Sequence, residues 1–169
     1  DRFGLDIMHQ NAKVASVGGY SPISLRINSY FVNRYVLSPY FSCWGWATCR
    51  TIWQSYSSSI KTENIADDLR NSNSWNKLTS EQKQNWLFRF HKIANYPELT
   101  WDYQMQYMMF KYDLLNILPV NRFVDNCGFG SNFSTNTQDN LPNWVLGSMD
   151  NSFLIKNSNL NNILVNKFH

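Results

Sequence analysis

Apolar residues recur at intervals of three and four in three stretches of the chain, a spacing that puts them on one face of an α-helix. On this basis we predict helices over residues 47–57, 79–95 and 101–114. The middle helix has the clearest start, because its sequence Thr-Ser-Glu-Gln at 79–82 has the form of a capping box. The three apolar faces consist of Cys49, Ile52, Trp53 and Tyr56; Trp86, Leu87, Phe90, Ile93 and Ala94; and Trp101, Met105, Met108, Tyr112 and Leu115.

Shorter runs of alternating or β-branched residues predict strands near 12–17, 25–33 and 117–126. Residues 5–17 as a whole indicate one or two β-like runs, and the polar stretch 71–76 is typical of a loop. Taken together, these elements predict a mixed α/β fold in which three main helices pack on a small mixed sheet.

Composition narrows the class of protein. A chain of 169 residues with 43% hydrophobic and 16% aromatic residues fits one domain with a packed core. Mean hydropathy is −0.42, and no uninterrupted apolar run is long enough to span a bilayer. The net charge of +3 comes from 15 basic and 12 acidic residues scattered along the chain. Without a dense basic block, we expect neither nucleic acid nor an anionic membrane as a partner.

The cysteines indicate free thiols rather than a metal site or a disulfide framework. Cys43, Cys49 and Cys127 are an odd number, and their spacing matches no zinc pattern. Free thiols are the default in a reducing cytoplasm, where we expect the protein to reside. We find no signal-peptide pattern, and the first methionine is Met8, so we expect the chain to be a piece of a longer protein.

Asp102 is the leading candidate for chemistry. With Thr100 as a predicted N-cap, Asp102 falls in the first turn of the 101–114 helix, where unpaired N–H groups and the helix dipole favour an ionised carboxylate. Flanked by Trp101 and Tyr103, such a carboxylate suits a general base acting on a sugar-like hydroxyl. The alternative is an ordinary acidic residue at the start of a core helix.

Three motifs, taken in order, resemble a known family. They are CWGWAT at 43–48 with Trp53 after it, TWDYQ at 100–104, and ILP at 117–119 leading to NCGFG at 126–130. This layout resembles the C-terminal half of bacterial and viral nucleotide-diphospho-sugar glycosyltransferases of the GT-A fold. It is also similar to eukaryotic N-acetylglucosaminyltransferases.

The resemblance implies roles for individual residues. Asp102 would be the catalytic base that takes the proton of an acceptor hydroxyl as its oxygen attacks the anomeric carbon, with inversion. Trp101 and Tyr103 would shape the pocket around it, and Gln104 of the same motif would contact substrate.

The 43–48 motif would form a wall of the same pocket. By resemblance, Trp44, Gly45 and Trp46 belong to the loop beside the donor-sugar and acceptor site, with Gly45 letting the backbone pass close. Ordinary core packing is the other interpretation of the two tryptophans.

Two departures from the family pattern affect the donor side. The family holds a divalent ion, Mn²⁺ or Mg²⁺, through an Asp-x-Asp motif that bridges the diphosphate, and this chain has none. The nearest acidic pair, Asp67-Asp68, falls in a predicted helix downstream of the Gly-Trp loop. A His-Thr pair common after the Gly-Phe-Gly turn is replaced by Asn136-Thr137.

We therefore expect residues 1–137 to be the acceptor-side half of a GT-A domain, with 138–169 an Asn-rich tail. The partial sheet would lack its N-terminal nucleotide-binding half, and the chain alone would be inactive. The full-length enzyme would use a nucleotide-sugar donor and a glycan or other hydroxyl acceptor. The alternatives are a non-catalytic carbohydrate-binding module with aromatic platforms, and a decayed glycosyltransferase remnant.

Overall fold

A computed structural model of the chain describes residues 2–20, 35–119 and 123–124. The described part is mixed α/β, with a small mixed sheet of four strands and several helices. Two 3₁₀ turns, Thr62–Asn64 and Pro97–Leu99, precede helices. In chain order the other elements are α1 Arg2–Gln10, β1 Val14–Val17, β2 Tyr35–Ser38, β3 Ala47–Thr48, α2 Arg50–Gln54, α3 Ile65–Arg70, α4 Asn73–Asn76, α5 Ser80–Asn95, α6 Asp102–Lys111 and β4 Leu115–Pro119.

The sheet has the strand order β2-β4-β1-β3. Strands β1 and β4 pair in parallel at its centre, while β2 and β3 pair antiparallel to β4 and β1. Every residue of β1 and β4 is buried, as expected for a parallel pair covered on both faces. The two buried polar side chains of these strands are hydrogen-bonded. The Ser16 hydroxyl donates to Oδ1 of Asn116 at 2.9 Å, and the Asn116 amide donates to the carbonyl of Tyr40.

Helix α6 organises the interior. Seven consecutive residues, Gln104 to Phe110, are buried, so the helix is enclosed on all sides rather than amphipathic. One face contributes Tyr107 and Phe110 to a core shared with α3, α4 and α5. The opposite face contributes Met105, Met108 and Met109 to a second core, which packs against residues of the loop that follows β2. The first turn of α6 is therefore held in a fixed position.

Several predicted elements are confirmed. The 79–95 helix is α5, and both capping-box bonds are present: Thr79 N donates to Gln82 Oε1 and Gln82 N donates to Thr79 Oγ1. The 101–114 helix is α6, slightly shorter than predicted. The predicted strand near 12–17 corresponds to β1, and the start of the predicted 117–126 strand falls in the last three residues of β4; the described residues 123–124 are not strand. The 25–33 segment lies outside the described residues, and β2 begins just after it.

Three expectations need correction. The 47–57 helix is confirmed only over α2, because residues 47–48 form β3 instead. The first half of 5–17 is α1, whose Ile7 and Met8 pack on the sheet; so short an apolar run fits either period. The 71–76 stretch contains α4, capped by the Ser72 hydroxyl, which accepts from Trp75 N. The tail 138–169 lies outside the described residues.

None of the helices within the described ranges is long and apolar enough to cross a membrane.

Candidate functional site

The loop between β2 and β3 carries the Gly-Trp motif and packs closely on neighbouring backbone. Gly19 N donates to the Trp44 carbonyl at 3.2 Å. Gly45 has φ +59°, and a Cβ added there would lie 2.6 Å from a methyl carbon of Val124. Both the left-handed conformation and the lack of space require glycine. The close backbone approach expected at Gly45 is present.

The two tryptophans on either side of Gly45 go to different places. The ring of Trp44 meets Tyr20 edge to face, with centroids 4.5 Å apart. Trp46 instead stacks on Trp101, with centroids 5.2 Å apart and an interplanar angle of 27°. Trp44 thus lies beside the residues that follow β1, while Trp46 belongs to the surroundings of α6.

Trp46 and Trp101 are part of a four-ring surface that we call the aromatic platform, made of Trp46, Trp53, Tyr56 and Trp101. Trp46 lies 5.9 Å from Trp53, which stacks in parallel on Tyr56 at 4.8 Å and 2°. The Tyr56 hydroxyl donates to the Trp101 carbonyl at 3.3 Å and closes the group. Trp53 and Trp101 remain 46% and 41% exposed, so the platform presents flat apolar rings to solvent.

The platform is supported from below by Phe41, whose ring meets Trp46 and Trp101 edge to face at 5.0 and 5.7 Å. Phe41 is itself tied to α6. Its backbone N–H donates to Oε1 of Gln106 at 2.6 Å, and the Gln106 amide donates to the Pro39 carbonyl at 2.8 Å. Gln106, a buried residue of α6, therefore anchors the start of the loop that carries the Gly-Trp motif.

Asp102 is the first residue of α6 and lies next to the platform in the chain. Trp101, rather than Thr100, is the N-cap, so the predicted capping role of Thr100 is wrong. The Thr100 hydroxyl donates to Oδ1 of Asp102 instead, and the Thr100 backbone is extended rather than helical. No described residue donates a hydrogen bond to Oδ2. The half-buried carboxylate thus keeps one oxygen open.

Two neighbouring groups respond to the charge of Asp102. Burial raises the pKa of the Cys43 thiol to about 11, and the negative charge of Asp102 adds to this rise. Burial also raises the pKa of Tyr56, again with a contribution from Asp102. Cys43 belongs to the Gly-Trp loop and Tyr56 to the platform, so the carboxylate lies within electrostatic reach of both.

Tyr103 and Gln104 face away from the platform. Tyr103 packs on α5, where Arg89 donates to its hydroxyl and lies 5.3 Å from its ring centroid. Gln104 is buried, and its amide donates to the carbonyls of Pro97 at 2.9 Å and Ser58 at 3.5 Å. Of the residues predicted to contact substrate, the structure brings Trp46 onto Trp101, which directly precedes Asp102, and Gly45 shapes the loop that carries Trp46.

Trp53 and Tyr56 were not predicted as site residues, although both lie on the predicted apolar face of the 47–57 helix. Their spacing of three residues indicates a shared face. It does not indicate that this face meets Trp46, which depends on how the loop turns at Gly45.

The acidic pair Asp67-Asp68 is occupied by other partners. Asp67 pairs with Arg70, and Asp68 accepts from the Tyr107 hydroxyl at 2.6 Å and from Lys111 Nζ at 2.8 Å. Partial burial works to raise the pKa of Asp68, but the hydrogen bonds from Lys111 and Tyr107 and the Lys111 charge outweigh it and lower the pKa. The described residues contain no group of three or more His, Cys, Asp or Glu placed to hold a metal ion.

The third motif, at 126–130, and the Asn136-Thr137 position lie outside the described residues.

No family model matches the chain, and no curated protein and no solved structure matches it either. What the site can do follows from its own geometry: a carboxylate with one open oxygen at a helix start, beside exposed aromatic rings.

Proposed function

We propose that this chain is the acceptor-side part of an inverting GT-A-type glycosyltransferase, which moves a sugar from a nucleotide-sugar donor to an acceptor hydroxyl. The observation that supports this most directly is the position of Asp102, which has a carboxylate oxygen without a hydrogen-bond donor among the described residues, directly after Trp101 of the aromatic platform and within electrostatic reach of Tyr56. Aromatic faces bind the apolar faces of sugar rings, and a positioned carboxylate accepts a hydroxyl proton.

In the proposed reaction, Oδ2 of Asp102 takes the proton of the acceptor hydroxyl while that oxygen attacks the anomeric carbon. The bond between the anomeric carbon and the nucleoside diphosphate breaks, and the diphosphate leaves with the electron pair. Attack from the face opposite the leaving group inverts the configuration. The Thr100 hydroxyl, bound to Oδ1, orients the carboxylate and leaves Oδ2 for the proton.

A divalent ion, when bound in such enzymes, stabilises the charge of the diphosphate. The described residues of this chain do not fit that role. Asp67 and Asp68 are committed to Arg70, Tyr107 and Lys111. No step of the proposed mechanism is therefore assigned to residues holding a metal, and donor binding is assigned to the nucleotide-binding half expected in the full-length protein.

The decisive experiment is Asp102→Asn in the complete protein. Transfer is followed as nucleoside diphosphate released from a panel of nucleotide sugars in the presence of glycan acceptors. We expect a loss of about 10²–10⁴-fold, the usual contribution of a positioned base, with donor affinity and melting temperature nearly unchanged. Asp68→Asn is the matched control, because that carboxylate is bonded on another side of α6. Near-normal turnover of Asp102→Asn removes Asp102 from the base role.

The exposed platform also supports a second candidate, a non-catalytic carbohydrate-binding protein. Trp53 and Trp101 present rings to solvent whether or not chemistry occurs beside them. This candidate predicts glycan binding that does not depend on Mn²⁺ or a nucleotide sugar, and no diphosphate release with any donor of the panel. Release with any one donor favours the enzyme.

A further inference from the structure

We propose that the acceptor is a neutral oligosaccharide of at least two sugar units, and that Trp53 binds the second unit. This inference rests on the proposed function, because it places the first unit at Asp102. The platform has two exposed rings, Trp101 and Trp53, and both contact the same more buried ring, Trp46. Two separate stacking positions on one surface fit two successive rings of one glycan.

The order of the two positions follows from the carboxylate. Trp101 directly precedes Asp102 at the start of α6, so we place the sugar unit whose hydroxyl is deprotonated on Trp101. Trp53 lies on α2 and contacts Trp46 and Tyr56. The unit that receives the transferred sugar therefore belongs on Trp101, and the preceding unit of the glycan belongs on Trp53.

The charge of the surface favours a neutral ligand. Residues 51–60, which carry Trp53 and Tyr56, include no Asp, Glu, Lys or Arg and consist of apolar, hydroxyl and amide side chains. This segment is flanked by Arg50 and Lys61. On the Trp101 side, the charge of the Asp102 carboxylate, which adds to burial in raising the pKa of Tyr56, would repel an anionic glycan. The Ser55 hydroxyl donates to the Thr51 carbonyl at 3.3 Å and keeps lone pairs for sugar hydroxyls.

Aromatic rings beside a carboxylate also bind quaternary ammonium groups, which are enclosed in aromatic cages. The platform lacks the shape of a cage. Trp53 and Tyr56 are stacked face against face at 4.8 Å and 2°, and Trp46 and Trp101 stack at 5.2 Å, so no room is left between these rings. Only outer faces are available, and these suit a flat ring rather than a compact cation.

The test is a length series on the complete protein without donor. The probes are neutral glycans of one to four sugar units on an array, with sialylated counterparts and choline, followed by titration of the bound glycans. For wild type we expect affinity to rise by about three- to tenfold between one and two units, the worth of one aromatic contact. We expect Trp53→Ala to remove this rise and Trp53→Phe to restore most of it.

Phe88→Ala is the matched control, because Phe88 is an exposed aromatic residue on α5, at 72% exposure, outside the platform. The inference is overturned if no neutral glycan binds, if sialylated glycans or choline bind more tightly than neutral ones, or if the gain with length survives Trp53→Ala. Because the series needs neither donor nor transfer, its outcome is separate from that of Asp102→Asn. If Asp102→Asn keeps its activity, the dependence of binding on glycan length can still be measured. If binding does not depend on glycan length, diphosphate release can still be measured.

Discussion

Helix α6 separates two groups of aromatic residues that differ in what they expose. The inner group packs around Phe90 and Phe110, which are both fully buried. The aromatic platform packs on the methionine face of the same helix but leaves Trp53 and Trp101 nearly half exposed. Both groups use edge-to-face and stacked contacts at similar distances. The difference lies in burial, and a contiguous group of exposed rings, unlike a single exposed residue such as Phe88, marks an interaction surface.

The carboxylates near the two groups differ in the same way. Asp113 accepts hydrogen bonds from Ser72 Oγ, from the N–H groups of Asn73 and Ser74, and from the Asn73 side chain, at 2.7–3.2 Å. Asp68 accepts two. Asp102 accepts one, from Thr100, and keeps an open oxygen. A carboxylate with its acceptor sites filled stabilises structure, whereas one with an open oxygen beside exposed rings is available for a ligand.

Removing a ring from each group gives the largest expected contrast. Phe110→Ala deletes a fully buried ring that meets Trp75 and Trp86 edge to face at 5.6 and 5.7 Å. We expect the free energy of unfolding to fall by about 3–5 kcal/mol, from lost burial and the cavity left behind. Denaturant titration followed by fluorescence measures it.

Trp53→Ala is the comparison for the platform. Because the side chain is 46% exposed, we expect its loss to cost about 1 kcal/mol or less. An equal loss of stability in the two variants would mean that the platform is ordinary core and would remove the basis for its role in binding.

Asp113→Asn tests the filled carboxylate. Partial burial works to raise the pKa of Asp113, but the hydrogen bonds from Ser74 and Asn73 outweigh it and lower the pKa from 3.8 to about 2. A lowered native pKa contributes stability above pH 4, and that stability is lost as the pH falls toward 2. Allowing for solvent screening, we expect Asp113→Asn to be about 1–2 kcal/mol less stable at pH 7.

The measurement is unfolding free energy at several pH values. We expect the wild-type and Asp113→Asn curves to converge as the pH approaches 2. Asparagine is the right replacement, because position 113 has φ +56° and asparagine tolerates this conformation. Asp67→Asn is the control, since that exposed carboxylate pairs only with Arg70. If the unfolding free energies of wild type and Asp113→Asn change in parallel with pH, the hydrogen bonds to Asp113 do not lower its pKa.

Local signals in the sequence were sufficient for the long helices. The capping box at Thr79 and the apolar spacing of α5 and α6 predict these helices because both signals act within a few residues. Helix α4 could not be predicted in this way. Its N-terminal N–H groups donate to Asp113, which lies about forty residues later in the chain. The sequence around α4 gives no indication of this partner.

The site was predicted in part for the same reason. The position of Asp102 at a helix start follows from local sequence, whereas the grouping of the rings depends on tertiary geometry. The left-handed backbone at Gly45 sends Trp44 toward Tyr20 and Trp46 toward Trp101. Tyr103 is adjacent to Asp102 in sequence, but one helical step turns it about 100° away, onto α5.

The smallest expected effect tests whether Asp102 faces the Gly-Trp loop, and Cys43 is the reporter. Burial and then the charge of Asp102 raise the pKa of its thiol to about 11, so little thiolate is present at pH 8. Asp102→Asn removes the charge and should lower this pKa. We expect iodoacetamide to react with Cys43 about two- to tenfold faster, because the rate follows the thiolate population.

The reaction is measured by mass spectrometry in a protein whose Cys49 and Cys127 are replaced by serine. Glu98→Gln is the matched control, because it removes an exposed carboxylate four positions earlier in the chain that does not affect Cys43. If Asp102→Asn and Glu98→Gln react at the same rate, the carboxylate does not face the loop. The open oxygen would then have no place beside Trp46, and the contrast between the filled and open carboxylates would carry no functional meaning.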